Sequence, residues 1–426
     1  MEAAACHPSA MPSRDALPQT PYAERVEFVV ELAAHLHAYG TTVQRLEGAL
    51  EAVTRRLALH CEPWVNPTGM ILAFRDPARP AGEGDTTRVL RMRPGDNNLY
   101  KLAEADRIAE EVMDGSIPIA RGLAALRALE TPMRRRGKAM QVLGFALAAA
   151  AVAGLFRLPW LDIATAGGVG LLIGLLELAA RSRPRLHEAF EALAGLVAGG
   201  IAVAVSTLVA PLNLNTVIIA SLIVLLPGMS LTNAMSELTS GHLVSGSARF
   251  AGALTTIVKL TIGTAIALGL AAALGMEPQV RASRPQPDVV MWGALLVGAY
   301  AFAVLFRAKY RDYPLVMLAA AGGFVISRFG GEWLGPPGGV FVAALAMTAL
   351  GNGYARWANR PGALVRLPGI IMLVPGSMAL RGVITLMQAQ DLGAGQGAAM
   401  AALNTLMALL AGLMFGNLAI PARRNL

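Results

Sequence analysis

The sequence predicts a polytopic α-helical membrane protein: ten transmembrane helices built as two inverted five-helix repeats, plus a small N-terminal cytoplasmic α/β domain. Three observations predict it. Of the 426 residues, 55% are apolar and 15% charged, against roughly 45–50% and 25% in an average soluble chain. A soluble fold could not cover that much apolar surface with so few charges. Apolar stretches of about 20 residues, enough to cross a bilayer, recur from residue 139 to residue 420. A Leu-x-Pro-Gly motif occurs twice, 148 residues apart, at matching places in the two halves of that region.

The net charge of +8 lies entirely in the apolar part. Residues 1–138 hold 18 Lys/Arg and 18 Asp/Glu, whereas residues 139–426 hold 18 and 10. Basic loops between apolar spans are what membrane orientation requires, so the surplus points to a lipid bilayer as partner and not to nucleic acid. Two cysteines, Cys6 and Cys61, are too few for a disulfide framework or a zinc site. No signal-peptide apolar core opens the chain. Residues 1–21 read as a disordered tail.

Residues 22–138 read as the cytoplasmic domain with a basic junction. Helical spacing runs through Val26, Val29, Val30, Ala33 and Leu36, and a second helix covers about Thr42 to Leu59. Strand-like runs follow at Glu62–Val65, Gly69–Phe74 and Thr87–Met92, separated by turn residues. Two more helices cover Asn98 to Met113, with Asn97 as cap, and Pro118 to Leu129. Arg134, Arg135, Arg136 and Lys138 then abut the first apolar span and place this side in the cytoplasm.

Spans are expected near 139–156, 161–180, 190–209, 214–230, 250–274, 289–306, 313–330, 338–356, 362–378 and 398–420. With the N-terminus inside, loops and tails put fifteen Lys/Arg on the cytoplasmic side and five on the other. That asymmetry predicts a cell inner-membrane protein with both termini cytoplasmic. Leu225-Leu226-Pro227-Gly228-Met229-Ser230-Leu231 in span four resembles Leu373-Val374-Pro375-Gly376-Ser377-Met378-Ala379 in span nine. Spans one to five (139–275) therefore pair with spans six to ten (289–420). Five is odd, so the second copy enters from the opposite side, an architecture common among secondary transporters.

Proline removes a backbone donor and glycine lets the chain turn. Matching breaks at Pro227-Gly228 and Pro375-Gly376 are the best sequence pointer to a transport site. Half-helix N-termini beyond them would aim amides at a carboxylate, with Ser230, Asn233 and Ser377 as nearby polar groups. Glu237, four residues from Asn233 on one helix face, and His242 are candidate proton carriers. Lys259, deep in span five, would meet the substrate carboxylate or pair with Glu237, and Arg381 is its counterpart after the second break. Arg366 and Glu177 read as snorkelling or structural groups near span ends. Asn352, Asn404 and Asn417 read as interhelical glue, and the small-residue run from Gly195 to Gly199 as a packing seam. No nucleotide, hydrolase or metal signature appears, so neither cofactor nor enzyme activity is expected.

Several stretches resemble the threonine/serine exporter family. They are Asn66-Pro67-Thr68-Gly69-Met70-Ile71, Thr87-Arg88-Val89 and Pro94-Gly95-Asp96-Asn97-Asn98-Leu99-Tyr100-Lys101-Leu102. They continue with Pro227-Gly228, Thr232-Asn233-Ala234 and Ser240-Gly241-His242-Leu243-Val244-Ser245-Gly246-Ser247-Ala248-Arg249. Leu373-Val374-Pro375-Gly376-Ser377 looks like the partner component that some bacteria encode separately, so both components are fused here. The resemblance implies an inner-membrane exporter of small hydroxy amino acids driven by the proton motive force. Split relatives are associated with succinate export, which makes a small dicarboxylate the alternative. It gives no role for the N-terminal domain; there Asn66 and Thr68 read as turn-shaping residues. A membrane-anchored enzyme or sensor working through that domain is the contrasting class. Oligomeric state is left open, a homo-oligomer being allowed.

Overall fold

The computed structural model describes residues 21–78, 80, 85–279, 285–374, 376, 380, 382 and 392–422. The tail expected before Pro21, and the candidate residues Pro375, Ser377 and Arg381, lie outside the described residues.

The N-terminal region begins with α1 (Tyr22–Ala38) and α2 (Val43–Arg56). Strands β1 (His60–Asn66), β2 (Gly69–Arg75) and β3 (Thr86–Arg91) form an antiparallel meander in the order β1-β2-β3. Alternation places Met70, Leu72 and Phe74 of β2 in the core, while the residues between them face outward. The β1–β2 turn is closed by Asn66, whose Oδ1 accepts from the Thr68 amide and hydroxyl, both at 3.0 Å. That is the turn-shaping role expected of the pair. Helices α3 (Leu99–Met113) and α4 (Ile119–Ala128) follow. The cap of α3 is Asn98, not the expected Asn97: its side chain accepts from the Lys101 amide at 3.1 Å.

The remaining helices are α5 (Arg135–Leu155), α6 (Trp160–Ala180), α7 (Pro184–Glu188), α8 (Phe190–Leu208), α9 (Leu214–Ser221), α10 (Gly228–Thr239), α11 (Leu243–Ala273), α12 (Asp288–Leu305), α13 (Tyr313–Ala358), α14 (Ala363–Ile371) and α15 (Leu392–Ala419). Among the described residues, seven helices are long and apolar enough to cross a membrane, or eight if the bent pair Leu214–Ser221 and Ile223–Thr239 is one span. One of the seven covers α13, whose 46 residues would reach about 70 Å as a straight rod, twice a bilayer core. It is not straight. Gly335 takes φ 76° and ψ 164°, Pro336 and Pro337 follow, and Gly339 packs on Ser327 and Gly331. The chain thus doubles back where the sequence places the gap between 313–330 and 338–356. The small-residue seam is also present: a Cβ on Gly195 would strike the Leu260 carbonyl, and one on Gly263 the Ala192 carbonyl, so α8 and α11 touch backbone to backbone.

Two corners share one geometry. After α5, Arg157 has φ 56°, its amide reaches the Gly154 carbonyl at 2.9 Å, and Leu158 reaches Ala153 at 3.1 Å. After α12, Arg307 has φ 52°, its amide reaches Val304 at 2.9 Å, and Ala308 reaches Ala303 at 3.1 Å. The chain reads Leu155-Phe156-Arg157 at one corner and Leu305-Phe306-Arg307 at the other. Each corner is followed by a buried aspartate tied to the chain just before a short helix. Asp162 accepts from Asn213 N and Nδ2, at 3.1 and 2.7 Å, ahead of α9. Asp312 accepts two bonds from the Arg360 guanidinium, at 2.7 and 2.8 Å, ahead of α14.

The N-terminal region is docked on the helices. The Leu99 and Tyr100 amides at the start of α3 donate to the Phe306 and Arg307 carbonyls, at 2.9 and 3.2 Å. One buried cluster joins its core residues to Phe302, Phe306, Val316 and Leu364.

Candidate transport site

The site begins at the break. After α9 and the single turn Ile223–Leu225, the Gly228 amide donates to the Leu226 carbonyl at 2.8 Å, and Pro227 has no amide to offer. Helix α10 restarts at Gly228, and the bent pair turns by 56°. Gly228 packs against Val374 and Gly376; a Cβ on Gly376 would lie 3.3 Å from the Gly228 Cα and 3.1 Å from the Leu226 Cβ. Gly228 and Gly376 therefore meet, and glycine suits both positions because the backbones come so close.

Beside this contact lies a cavity of about 350 Å³, walled by α2, α10, the second arm of α13, α14 and α15. Thr232, Asn233 and Ser236 face it from α10 and Arg366 from α14. Asn352 and Asn417 face it from α13 and α15, and Arg45 from α2. Asn352 Nδ2 donates to Asn417 Oδ1 at 2.9 Å and to the Ile420 carbonyl at 2.7 Å, which is the interhelical bond expected of this pair. Among the described residues, two guanidiniums and no carboxylate line the wall. Among the described residues neither guanidinium has a hydrogen-bonding or ionic partner. Burial pulls Arg45 down to about 10, which leaves it cationic at neutral pH. A concave wall with net positive charge attracts an anion.

The candidate residues read from the sequence separate into groups. Pro227 and Gly228 form the break and are buried there; Asn233 lines the cavity. Ser230 is exposed and outside the lining. Glu237, 1% exposed, sits outside the lining too. It accepts from Arg249 Nε at 2.9 and 3.0 Å, Ser245 Oγ at 2.6 Å and the Val43 amide of α2 at 3.2 Å. Thr42 makes no side-chain cap for α2, so Glu237 serves as that cap from 194 residues away. His242 holds Glu47 of α2 through Nε2 at 2.8 Å and Ser240 through Nδ1 at 2.9 Å. Lys259 does not meet Glu237: it donates to the Glu188 carbonyl at 3.0 Å and to Glu191 at 3.5 Å. Sequence reasoning missed Arg45 and set Arg366 aside. The available signal was that Arg366 is the one charged residue between 362 and 378.

Comparison with known proteins decides the family. A model described as a threonine/serine exporter matches residues 27–271, and a second, described as "Threonine/Serine exporter, ThrE", matches residues 292–419. The chain belongs to the threonine/serine exporter family. Its exporter pattern extends over the N-terminal region and both halves of the helical body. Among curated proteins it is similar to "Pheromone-regulated membrane protein 10" of Pichia sorbitophila, 27% identical over 84% of this chain and 36% of the relative. The same-named protein of Yarrowia lipolytica is 25% identical over 84% and 30%. The chain thus spans about a third of the length of these curated relatives. No solved structure matches it.

Proposed function

We propose that this exporter moves small hydroxy amino acids, threonine or serine first, out across the cell inner membrane. The observation that carries the reading is the cavity in which Arg366, unpaired by any described acid, faces Asn233 and Ser236 of the helix that follows the break. Arg366 takes the solute carboxylate with its planar fork of donors. The Asn233 carbonyl takes the ammonium, and the Ser236 hydroxyl the solute's own hydroxyl.

Ten passes as two inverted repeats fit this reading. The two matching corners lie at opposite ends of α12. Arg157 pairs with Asp288 at 2.9 Å at its start, and Phe306 at its end meets α3. The doubled α13, the bent pair of α9 and α10, and a further pass that begins with α14 supply the rest of this reading. The N-terminal domain (22–138) and the C-terminus then face the cytoplasm. The proton motive force drives export through Glu237. Protonation would turn an acceptor into a donor there and weaken the grip on Arg249 and on α2.

A small dicarboxylate such as succinate is the second reading, favoured by the second guanidinium on the cavity wall. Proteoliposome flux of labelled threonine, serine and succinate, with and without an imposed proton gradient, tests both. Gradient-stimulated flux of threonine or serine is the expected result; flux of succinate alone selects the second reading. A protein that moves none of the three overturns both.

A further inference from the structure

Arg45 is carried by α2, in the N-terminal region that family resemblance leaves without a role. It stands at the third position of that helix, and α2 has no acidic residue in its first turn. The start of a helix is its positive end, where acids are favoured and cations are not. Among the described residues, the carboxylate bonded at that end is Glu237, which is already matched by Arg249 and by the Val43 amide. Arg45 is therefore held in unfavourable electrostatics, without an ionic partner among the described residues, against a cavity wall that contains no described acid. Arg366 faces the same cavity from α14. A second cation brought next to the first from a different region is a cost that only an anion between them would offset.

We infer that Arg45 is a specificity-determining residue of the transport cavity, gripping the solute's carboxylate opposite Arg366, so that the N-terminal region forms one wall of the substrate site. The inference rests on the cavity being the transport site. Two contacts seat that wall: Glu237 on the start of α2, and His242 on Glu47. Arg45 acts on how tightly the solute is held, and the rest of α2 positions it.

The test uses the full chain in proteoliposomes, with Arg45→Gln, Arg45→Lys and the control Arg55→Gln. Arg55 lies on the same helix, is exposed, and pairs with Glu51 outside the cavity. Labelled threonine and succinate are the solutes, and melting in detergent with each solute is followed in parallel. Arg45→Gln is expected to raise KM roughly ten- to a hundredfold, the loss of one or two charge-assisted hydrogen bonds. It should leave kcat and the solute-free melting temperature near those of the parent. Arg45→Lys should fall between, since lysine keeps the charge and loses the fork, and Arg55→Gln should match the parent. If Arg45→Gln does not fold, Arg45→Lys carries the test by the same KM shift. A KM unchanged in the Arg45 variant that folds, or shifted equally by Arg55→Gln, overturns the inference and leaves the export reading standing. If the parent moves neither solute, stabilisation by threonine or succinate that is lost in Arg45→Gln upholds the inference while export fails. A parent that neither solute stabilises or crosses overturns both.

Discussion

The two halves of the helical body treat their enclosed charges differently. In the first half each charge in question has a protein partner: Asp162 has Asn213, Lys259 has Glu191 and the Glu188 carbonyl, and Glu237 has Arg249. In the second half Asp312 has a two-bond partner in Arg360, but Arg366 has none among the described residues. Enclosing a charge is costly unless something compensates it. Pairing therefore marks structure, and its absence beside a cavity marks the place where a solute supplies the opposite charge.

The sharpest way to break this comparison is Arg360→Ala, which leaves the buried Asp312 carboxylate only the long contact to Arg311 Nε at 3.8 Å. It should cost about 3–5 kcal/mol, read as a lower melting temperature in detergent; an unchanged melting temperature would mean the pair is not structural. Arg366→Gln should behave in the opposite manner. Flux should fall about a hundredfold, on the order of two lost charge-assisted bonds, while the melting temperature holds or rises. A clear loss of stability instead would make Arg366 a structural cation. Asn213→Ala removes one of the two donors to Asp162 and leaves the backbone amide, so about 1.5–3 kcal/mol is expected in the same melting assay. A loss matching Arg360→Ala would erase the difference between the halves. Lys259→Met should cost under about 1 kcal/mol, because its ion pair is long and partly solvated. Flux abolished by that change would return Lys259 to the substrate path.

Local chemistry explains which features were legible in the sequence. Proline lacks a donor wherever it stands, so the break at Pro227 was visible without coordinates, and so were the strands β1 to β3 from the turn residues between them. The non-helical Gly335 falls within the gap left between 313–330 and 338–356, where Pro336 and Pro337 interrupt the apolar run. The partners of charged groups were less visible because they depend on elements far apart in the chain. The Val43 amide finds its cap in Glu237 across 194 residues, and Lys259 finds Glu191 on α8. Arg366 was set aside for its nearness to a span end, yet α14 directs it into the cavity. The repeated corner at Leu155-Phe156-Arg157 and Leu305-Phe306-Arg307 was present in the letters, but its meaning needed the shared positive φ at Arg157 and Arg307.

The most direct measurement asks which side of α10 meets the solute. Ser236, on the cavity wall, and Ser230, exposed and outside it, are each changed to cysteine in a background with Cys6 and Cys61 replaced by serine. Labelling by a small thiol reagent is then timed with and without threonine, serine or succinate. Slower labelling of the Ser236→Cys protein in the presence of the transported solute, with no effect on the Ser230→Cys protein, is the predicted result. Protection at position 230 without protection at 236 would place the solute elsewhere and contradict the account.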